Sequence, residues 1–458
     1  MNSIIIVGVL GIIAMLSDVL RIRKWVPTLM ISGLGIAFVL SIVCSSSSVS
    51  LFHDTIRMDN FAIGFSSLLL FVAVLWMSYA LPYIGSGTRM MEKMALVLFA
   101  ICGSLLLVSY YNFSVFFIGL EIVSICAYVL AGSNKDDLKS NEASIKYFMM
   151  GAFATGFLLF GLALVYGVTG SFNLEEIALS IQGLSGQVPW MLYAGILLIM
   201  VGVCFKVSIV PFHFWTPDVY EGSPSHITAF MANIIKIAAF AAFFRMFYNG
   251  FAALSSWWSP ILAVLSAATI ISGNLLAIYQ SSFKRMMAYS SISHAGFMLM
   301  AIAAFTQYSM PALFIYSAVY ALGSIAVFIV ISAMSKNGEE HLMSLKGFSE
   351  GGLARALAFS IALLSLAGIP PLAGFFGKYY VILSAISDAK LWLAIVAIVG
   401  SIIGAFYYLK SAAYAFKPMN PQSKPIELDQ SSWFLLILCG ILTIIISFSP
   451  DFLMSLMG

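Results

Sequence analysis

Apolar runs of about twenty residues recur from one end of this chain to the other. Stretches such as LALVYG, ILLIMVGV and FIVISAM contain no alternation of polar and apolar residues. A bilayer-spanning helix needs about 20 apolar residues, whereas a membrane β-barrel strand must alternate. The chain is therefore read as an all-α polytopic membrane protein. Composition agrees: 61% of residues are hydrophobic, 9% are charged and the mean hydropathy is +1.01. A soluble domain carries about 25% charged residues, so a cytosolic globular enzyme is excluded. Disorder is excluded too, because it requires low hydrophobicity with high net charge. The net charge of +3 has no basic cluster beyond Arg21-Ile-Arg23-Lys24 behind it, so there is no nucleic-acid footprint. Cys44, Cys102, Cys126, Cys204 and Cys439 sit in apolar runs without a CxxC pair and read as buried hydrophobes, not as disulfides or metal ligands. The opening segment, MNSIIIVGVLGIIAMLSD, lacks the basic start of a cleaved signal peptide and reads as the first span.

About fourteen transmembrane helices are expected, near 3–20, 25–44, 59–81, 94–110, 112–131, 143–168, 189–210, 224–247, 260–280, 286–305, 311–334, 352–385, 391–415 and 431–449. The segment 171–187 is too polar to span and reads as a surface turn with one amphipathic helix. Lys and Arg in the loops set the orientation. Loops after odd-numbered spans hold thirteen: Arg21, Arg23, Lys24, Arg89, Lys93, Lys135, Lys139, Lys284, Arg285, Lys336, Lys346, Lys417 and Lys424. Loops after even-numbered spans hold three, Arg57, Arg245 and Lys390. The odd loops thus read as cytoplasmic, with both termini outside.

A few charges remain inside the spans. Glu121 lies about nine residues from either end of its apolar run. Lys236 lies twelve residues after Pro224, a depth of roughly 18 Å at 1.5 Å per residue. Lys206, Lys378 and His294 are also embedded. A charge at mid-bilayer costs about 2.5–3.5 kcal/mol on the mildest insertion scale, so function is the default reading. The plain alternatives are a structural ion pair for Glu121 with one lysine and a hydrogen-bonded core residue for His294. Desolvation disfavours a charged lysine and a charged glutamate, and a neighbouring charge reverses either effect. Protonation at one site can then depend on the next, as a coupled relay requires.

Two spans carry breakers. Pro211 closes the seventh, with Pro217 and Pro224 following, and Pro370-Pro371 lies deep in the twelfth with Gly368, Gly374 and Gly377. Proline removes a helical hydrogen bond, and freed backbone at membrane depth is tolerated only in protein or beside a wet cavity. Breaks at corresponding places in two halves point to inverted repeats. The same five-span shift carries Glu121 onto His294. The expected organisation is three N-terminal helices over 1–93, a five-helix unit over 94–250, an inverted five-helix unit over 251–415, and a C-terminal loop and helix over 416–458. No haem pair, phosphate loop or cysteine cluster suggests a redox cofactor, metal or nucleotide in this chain. His213 and His226 cannot share one helix, because Pro217 and Pro224 intervene.

The stretches FIGLEIVSICAYVLAG, EASIKYFMMGAFATGFLLFGLALVYGVTGS, FKVSIVPFHFWTPDVYEGSPSHITAFMA, FKRMMAYSSISHAGFML and LSLAGIPPLAGFFGKYYV cover much of 110–385. With them the chain resembles the subunit N family of the proton-pumping NADH–quinone oxidoreductases (respiratory complex I), related to mitochondrial subunit 2 and to antiporter-like subunits. The run Pro217-Asp218-Val219-Tyr220-Glu221-Gly222 favours this family over its M and L relatives, which read closer to PDAH. The resemblance implies fourteen helices in two inverted five-helix units. It also implies proton translocation driven by NADH oxidation and quinone reduction elsewhere in the complex. It assigns the proton relay to Glu121, Lys206, Lys236, His294 and Lys378, with Lys206 paired to Glu121. NADH, FMN, iron–sulfur clusters and quinone are implied in partner subunits, and the partners are other membrane subunits, antiporter-like and small. The implied location is the bacterial plasma (inner) membrane. His226 departs from the family pattern and reads as a capping or solvated residue near the cytoplasmic face. A multisubunit sodium/proton antiporter subunit and a passive structural subunit are the competing readings.

Overall fold

Long apolar segments leave their backbone polar groups no partner but each other, so they coil into helices. The computed structural model describes residues 2–43, 49–85, 88–184, 188–419 and 425–449; Cys44 and Lys424 lie outside the described residues. Among the described residues, eleven helices are long and apolar enough to cross a membrane, from Val26–Val43 to Gln430–Phe448. Three shorter apolar helices, Asn2–Leu16, Trp190–Lys206 and Leu353–Ala367, accompany them. Polar residues at the helix entries act as caps, satisfying backbone N–H groups that the first turn leaves open. Asp59 accepts from Ala62 N, Asn112 from Ser114 N, Asp137 from Lys139 N and Ser282 from Arg285 N.

The described residues divide into two compact units. The first contains Met1–Val74, Gly85–Trp215 and Ile234–Ile261; the second contains Leu75–Ile84, Thr216–Asn233 and Leu262–Gly458. In the first, the helices Leu138–Thr169 and Trp190–Lys206 approach so closely that a Cβ on Gly161 would lie 2.7 Å from the carbonyl oxygen of Gly195. Small residues at such contacts replace the hydrophobic drive that lipid cannot supply. The polar segment after Gly170 forms the amphipathic helix Leu174–Gly183, which buries Leu174, Ile177 and Ile181. Beside it a hairpin pairs Val49 with Met58. Arg57 ties the two together: it stands 3.5 Å over the Tyr111 ring and bonds Glu175 at 2.9 Å. Its hydrogen bond to Asp54 holds that carboxyl below the usual carboxylate range, against the opposing effect of burial.

Both proline-marked spans are broken. The helix Trp190–Lys206 stops at Lys206, Ser208 takes φ +66°, and a new helix begins at Trp215. The helix Leu353–Ala367 ends in a left-handed Gly368, and the chain restarts as Ala373–Ser387. Each break holds one cis prolyl peptide, Val210–Pro211 and Pro370–Pro371. At the second break the chain doubles back tightly. Gly374 N donates to Ser365 Oγ at 3.1 Å, and a Cβ on Gly374 would sit 1.6 Å from the carbonyl oxygen of Ser365.

Candidate proton-relay sites

The first unit holds Glu121, Lys206 and Lys236. Glu121, Ser124 and Tyr128 recur at helical spacing along Phe113–Ala131, so they share one face. Tyr147 and Thr155 on Leu138–Thr169 meet that face. Thr155 Oγ1 donates to Glu121 Oε1 at 3.1 Å, and the Tyr128 and Tyr147 rings meet edge to face with centroids 4.7 Å apart. Lys206 is the last residue of its half-helix and is 7% exposed. Its Nζ donates to Ser124 Oγ at 2.7 Å and lies 5.6 Å from the Tyr147 ring centroid. Ser124 thus takes the hydrogen bond of Lys206, while Glu121, one turn away on the same face, acts on it electrostatically. Trp215, where the next helix begins, stacks on Tyr147 at 4.5 Å and donates to the carbonyl oxygen of Phe205 at 3.0 Å. These contacts pin the loop that follows Lys206.

Lys236 is 2% exposed and begins the α-helix Lys236–Arg245, directly after a π-helical turn over Met231–Ile235. π-turns inside α-helices are frequent at functional sites. This helix packs on Thr88–Ser109 and Trp190–Lys206. Arg245, expected in an outer loop, is instead buried at its end. It forms a two-pronged pair with Asp59, 2.9 Å and 2.6 Å. The apolar neighbourhood of Arg245 masked a helical residue whose charge is neutralised at long sequence distance.

The second unit holds His294 and Lys378. His294 sits between two hydroxyls: Nδ1 is 2.7 Å from Tyr316 Oη and Nε2 is 2.9 Å from Tyr408 Oη. Tyr408 also bonds Ser290. Lys378 is 7% exposed, and its Nζ donates to the carbonyl oxygen of Ala367 at 2.7 Å, with the Phe297 ring centroid 5.1 Å away. His294, Tyr316, Tyr320, Ser365 and Lys378 line one small cavity. His226 also lies in this unit. It is buried, not solvated: Trp76 Nε1 donates to its carbonyl oxygen at 2.7 Å, and its ring stacks on Tyr83. The cap position of its helix is held by Pro224, two residues earlier.

One arrangement recurs at the two breaks. In each, a buried lysine lies at the break that follows the first half-helix. Lys206 is that helix's last residue; Lys378 reaches back to the last carbonyl of Leu353–Ala367. A helix C-terminus carries roughly half a negative charge, and stabilises a nearby cation by about 0.3–2 kcal/mol. Burial works against the same charge. The Lys378 ammonium therefore has the helix end in its favour and burial against it, while the Lys206 ammonium has Ser124 Oγ as its partner. The sequence located these lysines but not their partners. Ser124 and Tyr316 look like ordinary helix residues, and a backbone carbonyl has no sequence signature at all.

A family profile described as "NADH:quinone oxidoreductase/Mrp antiporter, TM" matches residues 111–404. The NADH-quinone oxidoreductase subunit N of Cytophaga hutchinsonii is 38% identical over 461 residues, covering 100% of this chain and 99% of that protein. Its counterpart from Trichlorobacter lovleyi is 39% identical, covering 90% and 86%. Among solved structures, a chain of respiratory complex I from Thermus thermophilus superposes with a TM-score of 0.83 at 32% identity, covering 98% of this chain and 97% of that one. A chain of the Mrp complex from Dietzia sp. DQ12-45-1b gives a TM-score of 0.87 at 21% identity, covering 100% and 96%. That second likeness speaks for the fold alone. Both solved relatives are chains of multisubunit complexes.

Proposed function

The chain belongs to the NADH-quinone oxidoreductase subunit N family, and on that premise we propose that its buried lysines carry the protons this membrane subunit translocates. The observation that carries the proposal is the recurrence of a buried lysine at a broken helix, once at Lys206 and once at Lys378. Protons enter from the cytoplasm toward Lys206 and Lys236 and leave outward by way of His294 and Lys378. Glu121 stabilises the charge of Lys206 through the face it shares with Ser124. When a neighbouring subunit alters the charge near Glu121, Lys206 loses that support and passes its proton on. Tyr316 and Tyr408 hold the His294 ring by both nitrogens, so a proton taken at one nitrogen is released from the other.

A transmembrane potential opposes the movement by about 2.3 kcal/mol per charge per 100 mV. No residue of the relay supplies that energy. It comes from NADH oxidation and quinone reduction in partner subunits, which hold the FMN, the iron–sulfur clusters and the quinone. The partners in the bilayer are antiporter-like and small membrane subunits of the same complex. The membrane is the bacterial plasma membrane, with both termini on its outer side, as the loop charges indicate.

The test uses the assembled complex in sealed vesicles. Lys378→Ala is expected to lower NADH-driven proton translocation at least about tenfold, the low end of what a positioned proton-transfer group contributes. Assembly is expected to stay intact. Wild-type translocation by that variant contradicts the relay.

A further inference from the structure

The helix Ser309–Lys336 is buried along its length. One face nevertheless carries Tyr316, Ser317, Tyr320, Ser324 and Ser335. At 3.6 residues per turn these five fall within about 100° of the helix circumference. Burying hydroxyls in a helix surrounded by protein is costly unless each finds a partner. The partners form a seam inside the second unit.

At one end, Ser335 Oγ donates to Glu340 Oε1 at 2.8 Å and bonds Ser225 Oγ at 2.6 Å. The Glu340 side chain is 30% exposed, so this end reaches solvent. Its position is fixed by Phe283 N, which donates to the carbonyl oxygen of Glu340 at 2.8 Å, and by Lys284, whose Nζ lies 3.4 Å from Oε1. Further along, Asn233 Nδ2 donates to Ser324 Oγ at 3.2 Å. Asn233 Oδ1 is buried and has no donor among the described residues, and the same holds for Ser317 Oγ as a group without a partner. Unsatisfied polar atoms in a polar seam mark places for ordered water. At the far end Tyr320 Oη donates to Ser291 Oγ at 3.0 Å, and Tyr316 and Tyr320 line the cavity of His294 and Lys378. Between Ser335 and Ser324 the face is apolar at Val327, Phe328 and Ile331. That gap of eleven residues spans about 16 Å, and Asn233 stands at its edge, bonded to Ser324.

We propose that Glu340 is a proton-loading group and that the polar face of Ser309–Lys336 conducts its protons to the His294–Lys378 cavity. Glu340 takes a proton from bulk water and gives it inward to the hydroxyl seam and its waters. It returns to the carboxylate, while the basic nitrogen at the far end gains a proton. The apolar stretch around Phe328 is the point at which the path opens and closes. This gives the second unit its own supply from the end of the bundle read as cytoplasmic. The inference rests on the assignment of Lys378 to the relay.

The experiment compares Glu340→Gln, Glu340→Asp, Ser335→Ala and Lys378→Ala in the assembled complex, reading NADH-driven proton translocation in sealed vesicles. Glu340→Gln and Ser335→Ala are expected to lose at least about tenfold, as for removal of a proton-transfer group. Glu340→Asp, which keeps the carboxyl, is expected to recover most of the rate. Wild-type translocation in Ser335→Ala and Glu340→Gln, with Lys378→Ala impaired, overturns the proposal. Wild-type translocation in Lys378→Ala overturns the relay assignment instead. Should Glu340→Gln fail to assemble, Ser335→Ala, which removes one oxygen atom, decides the question.

Discussion

Asp59→Ala is expected to destabilise the first unit by about 3–5 kcal/mol, the cost of leaving one member of a buried ion pair without its partner. The side chain of Arg245 is 1% exposed and that of Asp59 30%. The charge that cannot escape to water is therefore the guanidinium. It lies 4.8 Å from the Phe61 ring centroid, and its Nε has no acceptor among the described residues, so Asp59 carries its neutralisation. Asp59 also caps the helix Asn60–Ile84 through Ala62 N at 2.8 Å, and loss of such a cap adds about 1 kcal/mol. The order of effects follows. Asp59→Ala is worst, Asp59→Ser keeps a cap and loses only the pair, and Arg245→Met is mildest because the remaining carboxylate reaches solvent. The double variant, Asp59→Ala with Arg245→Met, is expected to recover most of the loss. Thermal unfolding of the detergent-extracted complex checks this. A loss near 1 kcal/mol for Asp59→Ala, with no recovery in the double variant, would show the cap alone at work.

Replacing Lys236 is expected to lower proton translocation roughly 10²-fold, the contribution of a well-placed acid–base group. Lys236 is buried inside an all-helical wall and begins its α-helix after a π-turn. Alanine removes the proton-carrying nitrogen. Arginine is the sharper substitution, because it keeps the positive charge but does not release a proton in a protein. If Lys236 served only as a fixed charge, Lys236→Arg would function. As a relay group it fails, as Lys236→Ala does. Lys146 provides the contrast. Its ion pair with Glu142 is a surface one, with side chains 41% and 63% exposed, and such pairs contribute at most about 1 kcal/mol. Lys146→Ala is expected to leave translocation unchanged.

Much of this was legible in the amino-acid order. The apolar runs gave the helices, because lipid allows no other use of unbroken apolar chain. Pro211 and Pro370-Pro371 marked the breaks, because proline removes a helical hydrogen bond and crowds the preceding turn. Glu121, Lys206, Lys236 and Lys378 stood out because so little else in the spans is charged. What stayed hidden was pairing. Arg245 read as an outer loop residue, since its partner Asp59 lies far away in sequence. Lys284 read as a solvated loop charge, yet it is buried and donates to the carbonyl oxygen of Ser223 at 2.5 Å. Lys378 finds a backbone carbonyl, and His294 finds Tyr316 and Tyr408, three residues that any buried aromatic or helical position would resemble. Sequence reports which groups are costly to bury; only the fold reports what offsets the cost.

The central claim is that protons pass through the buried lysines. Its most direct test is the proton-per-electron ratio of the assembled complex carrying Lys236→Arg, with NADH oxidation and proton uptake recorded together in sealed vesicles. Translocation is expected to fall roughly 10²-fold while the complex remains assembled. Lys236→Arg pumping at the wild-type ratio and rate would contradict it.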